Sequence, residues 1–214
     1  MSALPRSFYD RDTLTVAREL LGCRLVHEAA EGTTIGRIVE VEAYHGEDDP
    51  ACHAAAGRTA RTAPLYGPPG FGYVYLIYGM YHCFNVVTRG QGHPSAVLVR
   101  ALEPLVGHDR MRARRAARRR GPQARIPDRD LASGPGKLCD ALGITLAQNR
   151  ADLARSPLRV EQGAAPDAVV WTPRVGISVG TDRFWRCFVK GSPHVSRSRM
   201  NRVLADRPRP ATVR

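Results

Sequence analysis

Residues 73–86 read YVYLIYGMYHCFNV, and this stretch constrains the chain more tightly than any other. Both flanks of Gly79 are β-branched or aromatic, which predicts two antiparallel strands joined by a tight turn at Tyr78-Gly79-Met80-Tyr81. Four of the chain's seven tyrosines fall within residues 73–81. A hairpin tip normally carries Asn, Asp, Gly or Ser, yet this one holds up two tyrosines and a methionine. A tip is a poor place to bury anything, so those side chains call for a partner outside the chain.

The rest of the sequence supplies elements around this hairpin. Residues 10–21 (DRDTLTVARELL) carry apolar residues at helical spacing, with Asp10 or Asp12 as N-cap, and Gly22 ends the helix before a strand at CRLVHEA. GRIVEVEAYHG (36–46) alternates as a strand, which puts Ile38, Glu40, Glu42 and Tyr44 on one face and Val39, Val41 and Ala43 on the other. Residues 46–72 form a long loop rich in Gly and Pro. SAVLVRALEP (95–104) is a further strand, closed by Pro104. A helix follows through the arginine-rich block 110–120, and a second over 131–144 is entered through Ser133 and Pro135. Final strands are expected at RVGISV (174–179) and RFWRCFVKG (183–191). The economical architecture is one mixed α+β domain over residues 1–205, followed by a loose basic tail at 206–214.

Charge narrows the partner. Thirty-two Lys and Arg face 20 acids, for a net charge of +12, and only Lys137 and Lys190 are lysines. That balance suits a polyanion, nucleic acid first and an anionic membrane second. No apolar run is long enough to span a bilayer, and the opening MSALPRSFYDRD lacks a signal-peptide pattern. The five cysteines are scattered without a CxxC pair, which favours reduced thiols in the cytoplasm over a disulfide frame or a zinc site.

Local motifs divide between chemistry and scaffold. GPGK (134–137) is not a phosphate loop, because Leu131 stands where the first glycine belongs and Leu138 where Ser or Thr belongs. A helix start bearing Lys137 can still hold one DNA phosphate. Cys52-His53 and His82-Cys83 point their side chains apart, so no metal is expected. Glu40 and Glu42 read equally as a solvated outer face or as semi-buried carboxylates beside aromatics, the usual surroundings of a general base. The arginine block has only Asp109 and Asp128 nearby, which suggests phosphates lying against it.

Five blocks in order, EVEAYHGEDDPACHAA, YVYLIYGMYHCFNVV, VLVRALEPL, SGPGKLCDALGI and VKGSPHVS, resemble the 3-methyladenine (alkyladenine) DNA glycosylases of the Mpg type. The resemblance covers residues 14–197. It implies a curved, mostly antiparallel sheet with surrounding helices and a protruding hairpin, like the C-terminal domain of formyltransferases. It also implies a nucleoid-associated monomer acting on double-stranded DNA with damaged purines, without a cofactor and without a membrane. Tyr78 matches the wedge that fills the space of a flipped nucleotide, with Met80 and Tyr81 beside it and Arg115 at a DNA-contacting position. Glu42 matches the general base that activates a water against C1′. Arg100 matches the residue that holds this water, and a carbonyl near Val189 completes the site. Tyr44 and His53 match one wall of the base pocket and Tyr75 the other. Asn85 matches the residue that crowds the amino group of normal guanine, and Leu98 lines the pocket. Neither lysine falls in a pocket motif, so the resemblance implies hydrolysis to an abasic site without strand cleavage. His82 and Asn149 depart from common family residues. The alternative is a non-catalytic binder of distorted nucleic acid.

Overall fold

In the computed structural model, which describes residues 2–118 and 125–202, an antiparallel sheet curls around one large core. Helices α1 (Arg6–Tyr9) and α2 (Thr13–Leu20) lead into strands β1 (Arg24–Ala29) and β2 (Gly32–His45). The hairpin strands β3 (Gly72–Ile77) and β4 (Tyr81–Thr88) follow, then the long β5 (Ser95–Val106). Helices α3 (His108–Ala117), α4 (Asp128–Leu131) and α5 (Pro135–Leu142) precede three short strands, β6 (Leu158–Glu161), β7 (Val169–Thr172) and β8 (Arg186–Val189). The sheet runs β3-β4-β5-β2-β1-β6, with β8 pairing both β2 and β7. This is the single α+β domain with a curved sheet that the sequence and the resemblance implied. The tail at 206–214 and Arg119 and Arg120 lie outside the described residues.

Local chemistry explains the entry. Asp12 is the N-cap of α2 and accepts the Thr15 N–H at 3.0 Å. Thr13, Val16, Ala17 and Leu20 then turn inward on one face. The chain reverses at Gly22, whose φ is +90° and where a Cβ would lie 2.0 Å from the Ala164 carbonyl oxygen. No other residue fits there.

The strand that matters most, β2, is split along one edge. Its first half pairs β1, from Gly32↔Ala29 to Arg37↔Arg24, and its second half pairs β8 at Glu40↔Phe188, Val41↔Cys187 and Glu42↔Arg186. Against β5 the register runs Ile38↔Leu102, Glu40↔Ala101, Val41↔Val99, which leaves Val39 and then Arg100 as extra residues on opposite strands. These two offset bulges flip the faces locally. Ile38 and Leu102 therefore join the core with Val41, Ala43, Val97 and Val99, whereas Glu40, Glu42 and Arg100 project together on the other side. Simple alternation places Ile38 with the glutamates, and the bulge at Val39 is why it does not lie there.

Other expectations also shift. The turn of the aromatic hairpin is Ile77-Tyr78-Gly79-Met80, closed by the Met80 N–H to the Ile77 carbonyl at 3.2 Å, one residue earlier than the spacing suggested. Pro104 does not end β5; it sits opposite Gly36 at a register shift, where its missing N–H costs least. RVGISV is not a strand, because its backbone and side chains are committed to the pocket described below. The strands β6 and β7 carry too short an apolar pattern to stand out. Two short 3-10 turns, His53–Ala56 and Ala63–Tyr66, interrupt the long loop 46–72.

Within the described residues the arginine block is opposed, both by the nearby Asp109 and Asp128 and by acids distant in sequence. Arg112 pairs with Asp109 and Asp128, Arg114 with Glu31, and Arg115 and Arg118 with Asp140. The fold brings these carboxylates to the helix, so α3 needs no phosphate to be stable.

Glu40 has no exposed surface and collects Arg100 Nε at 2.9 Å, Arg186 Nε at 2.7 Å, and both the N–H and hydroxyl of Ser196. Burial alone would raise its pKa, but Arg100, Arg186 and the Ser196 N–H hold it below the ordinary carboxylate range. Its contribution is therefore full above the unfolded value of about 4.3 and lost as pH falls through the lower folded value. Glu40→Gln takes from Arg186 its carboxylate partner and leaves Arg100 only the longer contact to Glu42, and should cost about 3–5 kcal/mol at pH 7. Urea denaturation should show that deficit at neutral pH and show it shrinking below about pH 4.

Candidate active site

The two bulges deliver Arg100 between two carboxylates. Its Nε bonds Glu40, and its Nη1 lies 3.4 Å from Glu42 Oε1. Burial works against the Arg100 charge, yet Glu42 and Glu40 raise its pKa further above its already high ordinary value. Glu42 receives two more donors, the Val175 N–H on Oε1 at 2.7 Å and the Tyr44 hydroxyl on Oε2 at 2.9 Å. A buried carboxylate met by three converging donors is electrostatically satisfied and held in one orientation. The solvated-face reading of Glu40 and Glu42 falls, since neither carboxylate is exposed.

Above Glu42 opens a cavity of about 240 Å³ lined by Tyr44, His53, Tyr73, Tyr75, Asn85, Leu98, Arg100 and Val175, among others. Glu42 lies just beneath this lining, touching Tyr44, Arg100 and Val175. Adjacent strands set the wall. Leu98 is the register partner of both Glu42 and Asn85, so the three stand in one row across β2, β5 and β4. The Asn85 Nδ2 donates to the Tyr73 carbonyl at 3.1 Å, which fixes its amide. Burial pushes the phenols of Tyr44 and Tyr75 upward, with the Glu42 charge adding to it at Tyr44 and Cys83 at Tyr75. Burial first, and Arg61 second, lower the His53 pKa.

One detail of the expected pocket changes. His53 does not stand opposite Tyr75; the two rings touch edge to face with centroids 4.5 Å apart, and His53 Nδ1 lies 3.0 Å from the Tyr73 hydroxyl. A base stacked between two rings needs about 7 Å between them, from two carbon contacts of roughly 3.5 Å. His53, Tyr73 and Tyr75 thus form one aromatic corner, and among the described residues no ring contact joins Tyr44 to it.

What holds Tyr44 was invisible in the sequence. Arg174 and Asp49 are both fully buried at their side chains and pair through two bonds, with Arg174 Nη2 to Asp49 Oδ1 at 2.7 Å. The same guanidinium donates to the Ala43 carbonyl and stacks on the Tyr44 ring at 4.7 Å and on Trp185 at 5.1 Å. Asp49 also accepts the His45 and Ala51 N–H groups. One ion pair therefore ties the end of β2, the turn leading to His53, and the segment that presents Val175. Val189, expected near the site, instead pairs with Val169 and lines a different cavity with Arg37 and His194. Val175 is the valine whose backbone reaches Glu42.

The hairpin tip stands away from all this. Tyr78 is 83% exposed with φ +54°, Met80 is 53% exposed and Tyr81 42%. The Arg118 guanidinium bonds the Met80 carbonyl, and the Tyr81 ring lies against Gly136, where a Cβ would be 3.1 Å away. Beneath the tip runs a cleft lined by Leu76, His82, Arg118, Lys137 and Arg115. Arg115 lines this cleft with its side chain largely buried against Asp140, so it braces α3 on α5. Lys137 Nζ lies 3.5 Å from the Ser133 hydroxyl. Asn149 secures the hairpin from behind, where its Oδ1 accepts the Val74 N–H at 3.1 Å, next to Tyr75.

Known proteins resemble this chain over most of its length. The family described as Methylpurine-DNA glycosylase (MPG) matches residues 7–193. A relative from Methanocella arvoryzae is 51% identical over 201 residues, covering 92% of this chain and 97% of its own length. One from Methanoculleus marisnigri is 51% identical over 199 residues, covering 91% and 98%. One from Myxococcus xanthus is 47% identical over 202 residues, covering 92% and 95%. All three are provisionally named as 3-methyladenine DNA glycosylases.

Removing the Asp49 carboxylate tests how far the pocket depends on its hidden ion pair. Asp49→Ala leaves Arg174 uncompensated and should lower unfolding free energy by about 3–5 kcal/mol, read from urea denaturation.

Proposed function

The chain belongs to the methylpurine-DNA glycosylase family, and from that premise we propose that it excises modified purines from duplex DNA by hydrolysis, with Glu42 as the general base. Tyr78 enters the duplex as the damaged nucleotide swings out, and its ring recovers about 1–3 kcal/mol of the lost stacking. Met80 and Tyr81 pack beside it at the base of the wedge. The everted purine enters the cavity lined by Tyr44, Tyr75 and His53, which requires His53 and Tyr75 to part. Asn85, fixed by its bond to the Tyr73 carbonyl, stands in the row where an exocyclic group of the base would meet it.

Glu42 takes a proton from a water as the water oxygen attacks C1′. The N-glycosidic bond breaks with its electrons passing to the purine, and a positioned base of this kind contributes roughly 10²–10⁴-fold. Arg100 orients Glu42 and the water, and faces the charge that accumulates. A hydrolytic reaction is favoured over an imine route because the two lysines, Lys137 and Lys190, line other cavities, so among the described residues no lysine amine lines this one. The net charge of +12 supplies salt-dependent attraction to the DNA backbone. The single observation that supports this reading best is the convergence of Tyr44, Arg100 and Val175 on Glu42 directly beneath an aromatic cavity.

A duplex carrying one modified purine, followed by alkaline cleavage, reads the reaction. Glu42→Gln should lower single-turnover base release by about 10²-fold or more while DNA binding survives. Normal release by that variant would remove Glu42 from its role. Tyr78→Ala should reduce kcat/KM by about 10-fold or more through the lost stacking, with unfolding free energy unchanged because the ring is exposed.

A further inference from the structure

Three guanidinium groups approach the cavity, and they differ in one respect. Arg100 is neutralised by Glu40 and Glu42, and Arg174 by Asp49. The third, Arg61, is exposed midway along the loop that carries His53, with its Cζ 5.4 Å from the Tyr75 ring centroid. Among the described residues no carboxylate lies within ion-pair distance of it. Its charge is felt by the Tyr73 phenol and by His53, two more groups of the same aromatic corner.

Resting on the proposed reaction, we propose that Arg61 is a specificity-determining residue that disfavours purines bearing a formal positive charge and so tilts the pocket toward neutral modified purines. A cation is attracted by the electron-rich face of an aromatic ring within about 6 Å. Arg61 already occupies that interaction on Tyr75. If a base stacks on the same face, the guanidinium must leave at a cost equal for either base, and its charge, still tethered beside the ring, then repels a cationic base and not a neutral one. If the base stacks on the other face, Arg61 draws density from the ring and repels the charged base across it. Both geometries penalise an N-alkylated, cationic purine more than a neutral one of the same shape. Electron-rich tyrosines alone would favour the cation; an unneutralised guanidinium on one of them works against that preference.

The test compares single-turnover excision from two duplexes identical except for the lesion, hypoxanthine (neutral) or 7-methylguanine (cationic), at one ionic strength, with spontaneous depurination subtracted. Arg61→Gln should raise the ratio of 7-methylguanine to hypoxanthine excision about fivefold, the size of an exposed cation–π interaction. Arg61→Lys keeps the charge and should stay within about twofold of wild type. Equal loss on both lesions, with the ratio unchanged, would show a plain phosphate contact and overturn the proposal, as would a shift of the ratio toward hypoxanthine. A wild-type protein inactive on both lesions would instead sink the underlying glycosylase reading.

Discussion

Arg100 shared between two buried carboxylates is the interaction on which the rest of the structure turns. A charge cluster this deep is unfavourable unless every member is compensated. Here Glu40 satisfies Arg100 and Arg186, and Ser196 completes the Glu40 shell, so Arg100 arrives at Glu42 already fixed. The division of labour between two glutamates two positions apart follows from that shell. Glu40 is saturated by arginines and serves as a strut. Glu42 keeps softer partners, a phenol, a backbone N–H and a longer contact to Arg100, directly under the cavity. The sheet makes this possible by bulging twice, at Val39 and at Arg100, so that core packing and the charge cluster occupy opposite faces of the same two strands.

The sequence carried the hairpin plainly, because β-branched and aromatic residues around Gly79 leave few other choices, and the exposed Tyr78 was inferable from its place at the tip. Alternation was enough to group Glu42 with Tyr44 and Leu98 with Arg100. It failed at Ile38, since a bulge costs one residue of register and leaves no mark in composition. The pair of Asp49 and Arg174 was illegible for a different reason. The two residues are 125 positions apart, and each looks in isolation like an ordinary loop charge. The same distance effect hides the neutralisation of the arginine block, whose Glu31 and Asp140 come from other elements. RVGISV reads as a strand on its branched residues, whereas its backbone N–H at Val175 is spent on Glu42.

The aromatic corner of His53, Tyr73 and Tyr75 is packed against itself in this conformation. On the proposed reaction, an entering purine would exchange those edge contacts for stacking, and part of its binding energy would go into opening the pocket. An undamaged base gains nothing extra there to offset its lost pairing in the duplex, whereas a mispaired or distorted nucleotide starts with less to lose. On the proposed reaction, selection at the step of eversion and selection inside the cavity would act in series.

A structure of the Glu42→Gln variant bound to a duplex with one hypoxanthine tests the central claim most directly. The account predicts the purine everted into the cavity between Tyr44 and the parted Tyr75–His53 corner. One water should bridge the residue-42 side chain and C1′ at hydrogen-bond distance from the side chain, about 3 Å. A lesion still stacked in the helix, or an everted sugar whose C1′ is screened from residue 42 with no water between them, would contradict it.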